Sequence, residues 1–314
     1  MAFRTVMIVN PCYLSTRDNQ LVMSRDEVNI SVPLEDIACI IIDNHSTTLS
    51  SSLLVKCAIY NIVLISCDAE HIPNGVFNSY LQHSRQALVI NKQLNLTQPF
   101  KKQLWQRIIK QKITNQAECL KRIYVTNNII DRLNHLAKTV SSGDSGSNEA
   151  NASRIYFTCI FGGGFHRIKK NTPTSNSENH HEINASLNYT YSIVRSLICR
   201  SLVGYGLLPN FGLFHNNQLN SFNLADDFIE PFRSFVDWYV YTKVLYYETN
   251  NLIKYKDELV NVLNYNIIID NNKMSLLTAC DVMIKSYINA INNNDSSLIK
   301  LPELPEKLNI NSVH

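Results

Sequence analysis

The sequence predicts an α+β multidomain chain, with a small β-rich N-terminal domain followed by a larger all-α domain. Three observations carry this. Short β-branched runs divided by turn formers fill the first ~78 residues, apolar residues three to five apart recur over most of the remaining chain, and only nine Gly and nine Pro punctuate 314 residues. At roughly 150 residues per domain the length favours two domains, each able to bury its own core. Hydrophobic residues at 45% against 18% charged exclude a disordered chain.

In chain order, TVMIV, QLVM, NISV, IACIII and NIVLIS read as strands, separated by Asn10-Pro11, Asp18-Asn19 and the turn-rich segment 68–74. Residues 50–60 (SSSLLVKCAIY) read instead as a short helix capped by Ser50 or Ser51, with Leu53, Leu54, Cys57 and Ala58 at helical spacing. These elements make residues 1–78 the β-rich domain, and 79–99 read as a hinge. Leu104, Ile108, Ile109, Ile113, Ala117 and Leu120 then mark an amphipathic helix, with its basic groups expected outside. Helical patterns continue through 129–140, 154–161, 185–202, 232–247, 254–263 and 275–290, so 100–292 is expected to be all helical. Polar loops interrupt it at 141–147 and 169–182, and 293–314, with Pro302 and Pro305, read as an extended tail.

The longest apolar runs, such as 37–42, fall far below the ~18 residues of a membrane-spanning helix. No secretory leader is visible at the start, so a cytoplasmic location is expected. The eight cysteines never form C-x-x-C and sit mostly inside apolar runs, which predicts buried free thiols rather than a zinc site or a disulfide framework.

Charge is uneven. Residues 95–140 hold nine basic groups against Glu118 and Asp131, while both ends of the chain are net acidic. Such a run is either a solvated helix face or a phosphate-binding surface, and charge alone does not choose between them.

Glu149 follows a Ser/Gly loop and opens the helical pattern NEANASRIYF, where an acidic side chain also suits the helix dipole. Further on, His215 precedes a segment in which Asp226, Asp227 and Glu230 crowd against Phe228 and Ile229. On a helix, Asp227 and Glu230 share a face, and like charges there repel unless a cation or base lies between them. One His with two carboxylates suits a hard divalent ion, Mg²⁺ or Mn²⁺. The candidates lie on separate segments, so spacing alone does not assemble them.

The segments NASLNYTYSIVRSLICR, GLLPNFGLFH and FNLADDFIEPFRSFVD closely resemble the CRISPR-associated integrase of spacer acquisition, the Cas-one family. NEANASRIYF, RTVMIVNPCYLS, SLLVKCAIYNIVLISCD and KQLWQRIIKQKITNQA are similar too, most like the forms that accompany the Cas-nine effector. The resemblance runs to about residue 247. It implies metal ligation and catalysis at Glu149, His215 and Glu230, with Asp227 in support. Ala150 stands where many members have Gly, which a helix start accepts.

The resemblance also implies that the helical domain is catalytic and that short DNA fragments are inserted into a CRISPR array through attack by DNA 3′-hydroxyls. A homodimer is implied, with the runs IACIII and NIVLIS serving partly for the core and partly for the subunit contact, together with the small Cas-two protein as partner and double-stranded DNA as substrate. DNA contacts are expected from Arg85, Lys101, Lys102 and Lys110. Two alternatives remain open: a binding module that holds DNA or a partner without catalysis, and a general structure-specific metal nuclease.

Overall fold

The computed structural model describes residues 4–69, 73–80, 83–123, 125–168, 178–247 and 255–304. Its N-terminal part comprises β1 (Arg4–Ile8), β2 (Tyr13–Arg17), β3 (Gln20–Arg25), β4 (Val28–Pro33), β5 (Ile37–Ile42), β6 (Thr48–Leu49), α1 (Ser51–Ile59), β7 (Val63–Cys67) and β8 (Pro73–Phe77). Two four-stranded sheets result, ordered β1-β5-β7-β8 and β4-β3-β2-β6. In the first sheet β1, β5 and β7 run parallel and β8 closes one edge antiparallel. Joining parallel β5 to β7 requires a crossover, which α1 supplies. Ser50 starts that helix by accepting the Leu53 N–H at 3.3 Å.

Every residue of β5 is buried, as suits a parallel strand covered on both faces. Ile37, Ile40 and Ile42 join Leu14, Leu21, Leu53 and Cys57 in one apolar cluster. Cys39 and Ile41, on the opposite face, join Val63, Ile65 and the helices. Each fully buried Ile contributes about 2 kcal/mol. Two expectations are corrected here. The two parts do not bury wholly separate cores, because one sheet face is continuous with the helical core. Nor are IACIII and NIVLIS free for a subunit contact, since β5 and nearly all of β7 are consumed inside the chain.

The helical part follows the predicted class: α2 (Gln86–Leu94), α3 (Gln98–Arg122), α4 (Asn127–Lys138), α5 (Asn148–Phe161), α6 (Glu178–Gly204), α7 (Asn223–Tyr247), α8 (Lys256–Val260) and α9 (Leu276–Asn293). Thr97 caps α3, accepting the Phe100 N–H at 3.4 Å, and Pro99 occupies its first turn. The part is not all helical, however. Between α8 and α9 lies an antiparallel hairpin, β9 (Asn266–Ile269) and β10 (Asn272–Ser275). Its turn residues Asp270 and Asn271 both take positive φ, 53° and 59°, the backbone twist a two-residue hairpin needs.

Within 79–99, read as a hinge, α2 forms and is tied down: the Gln93 amide donates to the carbonyls of Leu208 (2.8 Å) and Phe211 (3.2 Å). The described start of the tail packs as well. Glu303 and Ile268 exchange two backbone hydrogen bonds, and Ile299 and Leu304 are buried. Residues 305–314 lie outside the described residues. Among those described, no helix is long and apolar enough to cross a membrane, and all eight cysteines are free, six of them buried.

Candidate active site

Helix α3 is the frame of the site. Lys101, Trp105, Ile108 and Lys112 recur at steps of four, three and four residues, which sets them along one stripe. Trp105 and Ile108 are buried, and so is Lys112. This corrects the expectation that the basic groups of the helix all face outward. A buried ammonium requires compensating carboxylates, and Lys112 Nζ has two: Glu149 Oε1 and Glu230 Oε2, each at 2.6 Å. Burial works to lower the Lys112 pKa, but Glu230 and then Glu149 outweigh it and hold the ammonium above its ordinary value.

Glu149 reaches this point because the loop before α5 is fixed. Asp144 accepts the backbone N–H groups of Asn148 (2.9 Å) and Glu149 (3.1 Å), satisfying donors that a helix start leaves open. The Asn148 amide in turn donates to the Leu136 carbonyl at 2.9 Å and anchors the turn to α4. Glu149 thus projects from the first turn of α5, as the sequence predicts.

Glu230 lies inside α7, immediately before Pro231. A proline within a helix leaves a carbonyl one turn back unpaired and loosens the ladder; here α3 braces the spot. Asn115, one turn beyond Lys112, donates to the carbonyls of Pro231 and Pro302, both at 2.9 Å. Glu230 Oε1 accepts from Arg233 Nε at 2.8 Å, and the Arg233 guanidinium lies 4.7 Å over the Tyr191 ring. Burial alone would raise the Glu230 carboxyl, but Arg233 and Lys112 together hold it below the usual carboxylate range. Its Oε2 is turned to Lys112 Nζ.

His215 stands on the loop between α6 and α7, and Asp227 ties that loop to α7. Asp227 Oδ2 accepts the N–H groups of Leu213 (2.5 Å) and Phe214 (3.1 Å), while Oδ1 accepts the His215 N–H (3.1 Å) and meets His215 Nδ1 at 2.7 Å. A carboxylate only accepts, so Nδ1 carries a proton, and in the neutral ring Nε2 presents a lone pair. The hydrogen bond to Asp227, against the effect of burial, raises His215 above the ordinary imidazole value. Burial raises Asp227 in turn, with His215 opposing. Trp105 stacks on Phe214 with centroids 4.3 Å apart and meets the His215 ring edge-on at 5.8 Å.

The structure therefore brings Glu149 and Glu230 together on Lys112 and couples His215 to Asp227. Among the described residues, no three His, Cys, Asp or Glu side chains gather closely enough to ligate one ion as they stand. The donor chemistry nonetheless fits a hard cation: two acidic side chains from different helices already converge on one positive nitrogen. Sequence reasoning missed Lys112, Trp105 and Asn115 as site residues. The available signal was position, since Lys112 follows Ile108 by four and precedes Ile113, on the apolar stripe.

The basic candidates separate. Lys101 lies about three helical turns from Lys112 on nearly the same side of α3. The Lys102 stem lies beside Gly143, in the loop leading to Glu149. Lys110, two residues from Lys112 and so about 200° around the helix, lines a different cavity of about 710 Å³ with Arg107, Asp270 and Lys300. Arg85 is exposed at the start of α2.

A strand-rich region packed on a helical bundle is the architecture of a known class of proteins. The chain belongs to the Cas1 family: the family model described as "CRISPR associated protein Cas1" matches residues 6–257. It is 39% identical over 311 residues, 97% of each chain, to the CRISPR-associated endonuclease Cas1 of Neisseria meningitidis serogroup C (strain 8013). Solved structures share the fold. One is a Cas6-RT-Cas1–Cas2 complex (TM-score 0.71, 17% identity), of which this chain, 97% covered, spans about a third, 36%. Another is a casposase bound to its integration product (TM-score 0.70, 16% identity, 94% of this chain and 93% of that one).

Proposed function

We propose that the chain is a metal-dependent DNA integrase that inserts short DNA fragments into a CRISPR array by attack of DNA 3′-hydroxyls on phosphodiesters. The observation that carries this reading is the meeting of Glu149 and Glu230, from two helices, within 2.6 Å of one nitrogen. Glu149, Glu230 and His215 are the residues that would hold Mg²⁺ or Mn²⁺. When bound, such an ion polarises a phosphoryl oxygen and lowers the pKa of an attacking hydroxyl.

The rest is the work of the chain's own side chains. Asp227 fixes the His215 tautomer so that Nε2 is open, Arg233 and Lys112 keep Glu230 charged, and Asp144 and Asn148 hold the α5 start in place. Lys101 and Lys102 supply positive charge toward a phosphate backbone, a contact that carries little base information. The names of the relatives, an endonuclease and a casposase caught with its integration product, support the reaction class.

Cas2 is the proposed partner, in keeping with the Cas6-RT-Cas1–Cas2 complex that shares the fold. A fragment has two ends, and a symmetric pair of subunits offers a site to each. The apolar residues the β-rich part leaves exposed to a second copy include Val28 and Ile30 of edge strand β4, 61% and 56% exposed. Sedimentation at low micromolar concentration tests this: a single species near 35.9 kDa would remove the dimer.

The reaction is tested with purified chain, Cas2, a short duplex bearing 3′-hydroxyls and a supercoiled array plasmid. Covalent joining only with Mg²⁺ or Mn²⁺, and its loss in Glu149→Gln, His215→Gln and Glu230→Gln with the fold intact, is the expected result. Joining at the wild-type rate by any one variant would remove that residue from the site.

A further inference from the structure

We propose that Lys112 is a built-in counter-ion of the candidate metal site, which holds Glu149 and Glu230 together before a divalent cation binds and gives up its place between them when one does. The inference rests on the metal-site reading and adds what the site does with the cation it already contains.

Both oxygens of Glu230 are engaged by positive groups: Oε2 by Lys112 at 2.6 Å and Oε1 by Arg233 at 2.8 Å. A divalent ion sits about 2.0–2.6 Å from its oxygen ligands, so an ion bridging Glu149 and Glu230 would take the place that Lys112 Nζ holds, 2.6 Å from an oxygen of each. Lys112 is then the cation that must leave. Arg233 is held twice over, by its bond to Glu230 one turn away on α7 and by the Tyr191 ring beneath its guanidinium. Lys112 contacts the very oxygens an incoming ion would take, Glu149 Oε1 and Glu230 Oε2. Its flexible four-carbon stem can swing, whereas a planar guanidinium stacked on a ring is fixed in orientation.

The same geometry gives Lys112 its purpose before the ion arrives. The two carboxylate oxygens stand no further apart than twice their distance to Nζ, in a buried setting where bare like charges repel strongly. Glu230 is 4% exposed, so water does little to screen it. An ammonium between them keeps the pair charged and converged. Asn115 and the carbonyl of Lys112, which accepts a long 3.5 Å hydrogen bond from Ser234, keep α3 registered against α7 whether or not the ammonium is in place. Lys112 is thus a positioning residue that acts through Glu149 and Glu230.

Two measurements test the proposal on the full chain. The first is acylation of Lys112 by an amine-reactive reagent, followed by mass spectrometry, with and without saturating Mg²⁺. Displacement predicts at least a threefold faster reaction with Mg²⁺, while Lys256, held to Asp43 at 2.7 Å far along the fold, serves as the unchanged control. The second is Mn²⁺ binding to wild type and to Lys112→Met, which keeps the apolar stem and removes the charge. The variant is expected to be less thermostable without metal, to bind Mn²⁺ about tenfold more tightly, and to recover stability on binding.

Unchanged acylation with Mn²⁺ affinity no tighter in Lys112→Met would overturn the proposal and leave the metal site standing. No Mn²⁺ binding by wild type, matching Glu149→Gln, would overturn the metal reading and this inference with it. Should Lys112→Met fail to fold, acylation of the wild type decides alone.

Discussion

Asp227→Asn separates what a carboxylate does beside His215 from what its shape does. In the native chain four N–H groups converge on two oxygens: Leu213 and Phe214 on Oδ2, the His215 backbone and ring on Oδ1. An amide offers one accepting oxygen and one donating nitrogen. Turned with its oxygen toward Leu213 and Phe214, it keeps both of those bonds and points NH₂ at His215. The ring then answers by becoming the acceptor at Nδ1, which moves its proton to Nε2 and closes the lone pair that would face a metal. The His215 backbone N–H loses its partner, a cost of about 1–3 kcal/mol. Loss of a ligand-orienting group typically lowers metal affinity by about 10–100-fold.

Asp227→Asn is therefore expected to unfold in urea with about 2 kcal/mol less stability, to bind Mn²⁺ at least tenfold more weakly, and to join DNA far more slowly. Asp227→Ala, which strands three backbone N–H groups, should lose roughly three times as much stability. Wild-type Mn²⁺ affinity and joining rate in the Asn variant would refute the tautomer argument. Equal stability of the Asn and Ala variants would refute the hydrogen-bond argument.

Other perturbations reach separate parts of the chain. A Cβ at position 212 would fall 2.3 Å from the His215 carbonyl oxygen and 2.8 Å from Asp227 Oδ2, so Gly212→Ala should spread the turn and cut joining at least tenfold with helical content unchanged; undiminished joining would show slack in the turn. Replacing Lys101 and Lys102 with Gln should weaken DNA binding alike across sequences and flatten the slope of log affinity against log salt by about 2, if each makes one phosphate contact. An unaltered slope would return both to the solvated face. Asp237 is 1% exposed, and burial raises its carboxyl to about 6 from an ordinary value of 3.8. The folded state then holds that proton more tightly than the unfolded one, so this group's contribution to stability falls as pH rises between those values and is constant above them. Asp237→Asn should remove that slope; urea midpoints that track wild type across the window would show the group titrates normally.

Much of the fold was legible because it arises from local periodicity. The β-branched run 37–42, bounded by turn formers, read as a strand, and the start of the helical part at residue 100 fell two residues from where the structure begins α3. The hairpin β9–β10 was missed despite an Asp-Asn pair after three isoleucines, because helical patterns on either side drew the whole region into one class. Twist-matched turns of this kind are a local signal, and it was present. The shared core between the first sheet and the helices was not local: nothing within β5 says that Cys39 and Ile41 will meet a helix more than a hundred residues away.

The site shows the same division at finer grain. Glu149, His215, Asp227 and Glu230 could be picked out singly, by family resemblance and by the improbability of acidic residues among Phe and Ile. Lys112 could not, because its charge argued for solvent while its place on the stripe argued for the core, and only carboxylates from α5 and α7 resolve that conflict. A lysine at an apolar position is a standing demand for two such partners. Helix α3 meets it by carrying, on one stripe, the indole that packs beside His215 and the ammonium that gathers both glutamates. The basic helix, then, carries two kinds of lysine. Lys112 sets the acidic residues in place, and Lys101, about three turns nearer the helix start on nearly the same side, is with Lys102 one of those proposed to meet phosphate. A variant series that neutralised the whole run at once would confound them, since loss of Lys112 would scatter the carboxylates while loss of Lys101 and Lys102 would weaken only the hold on DNA.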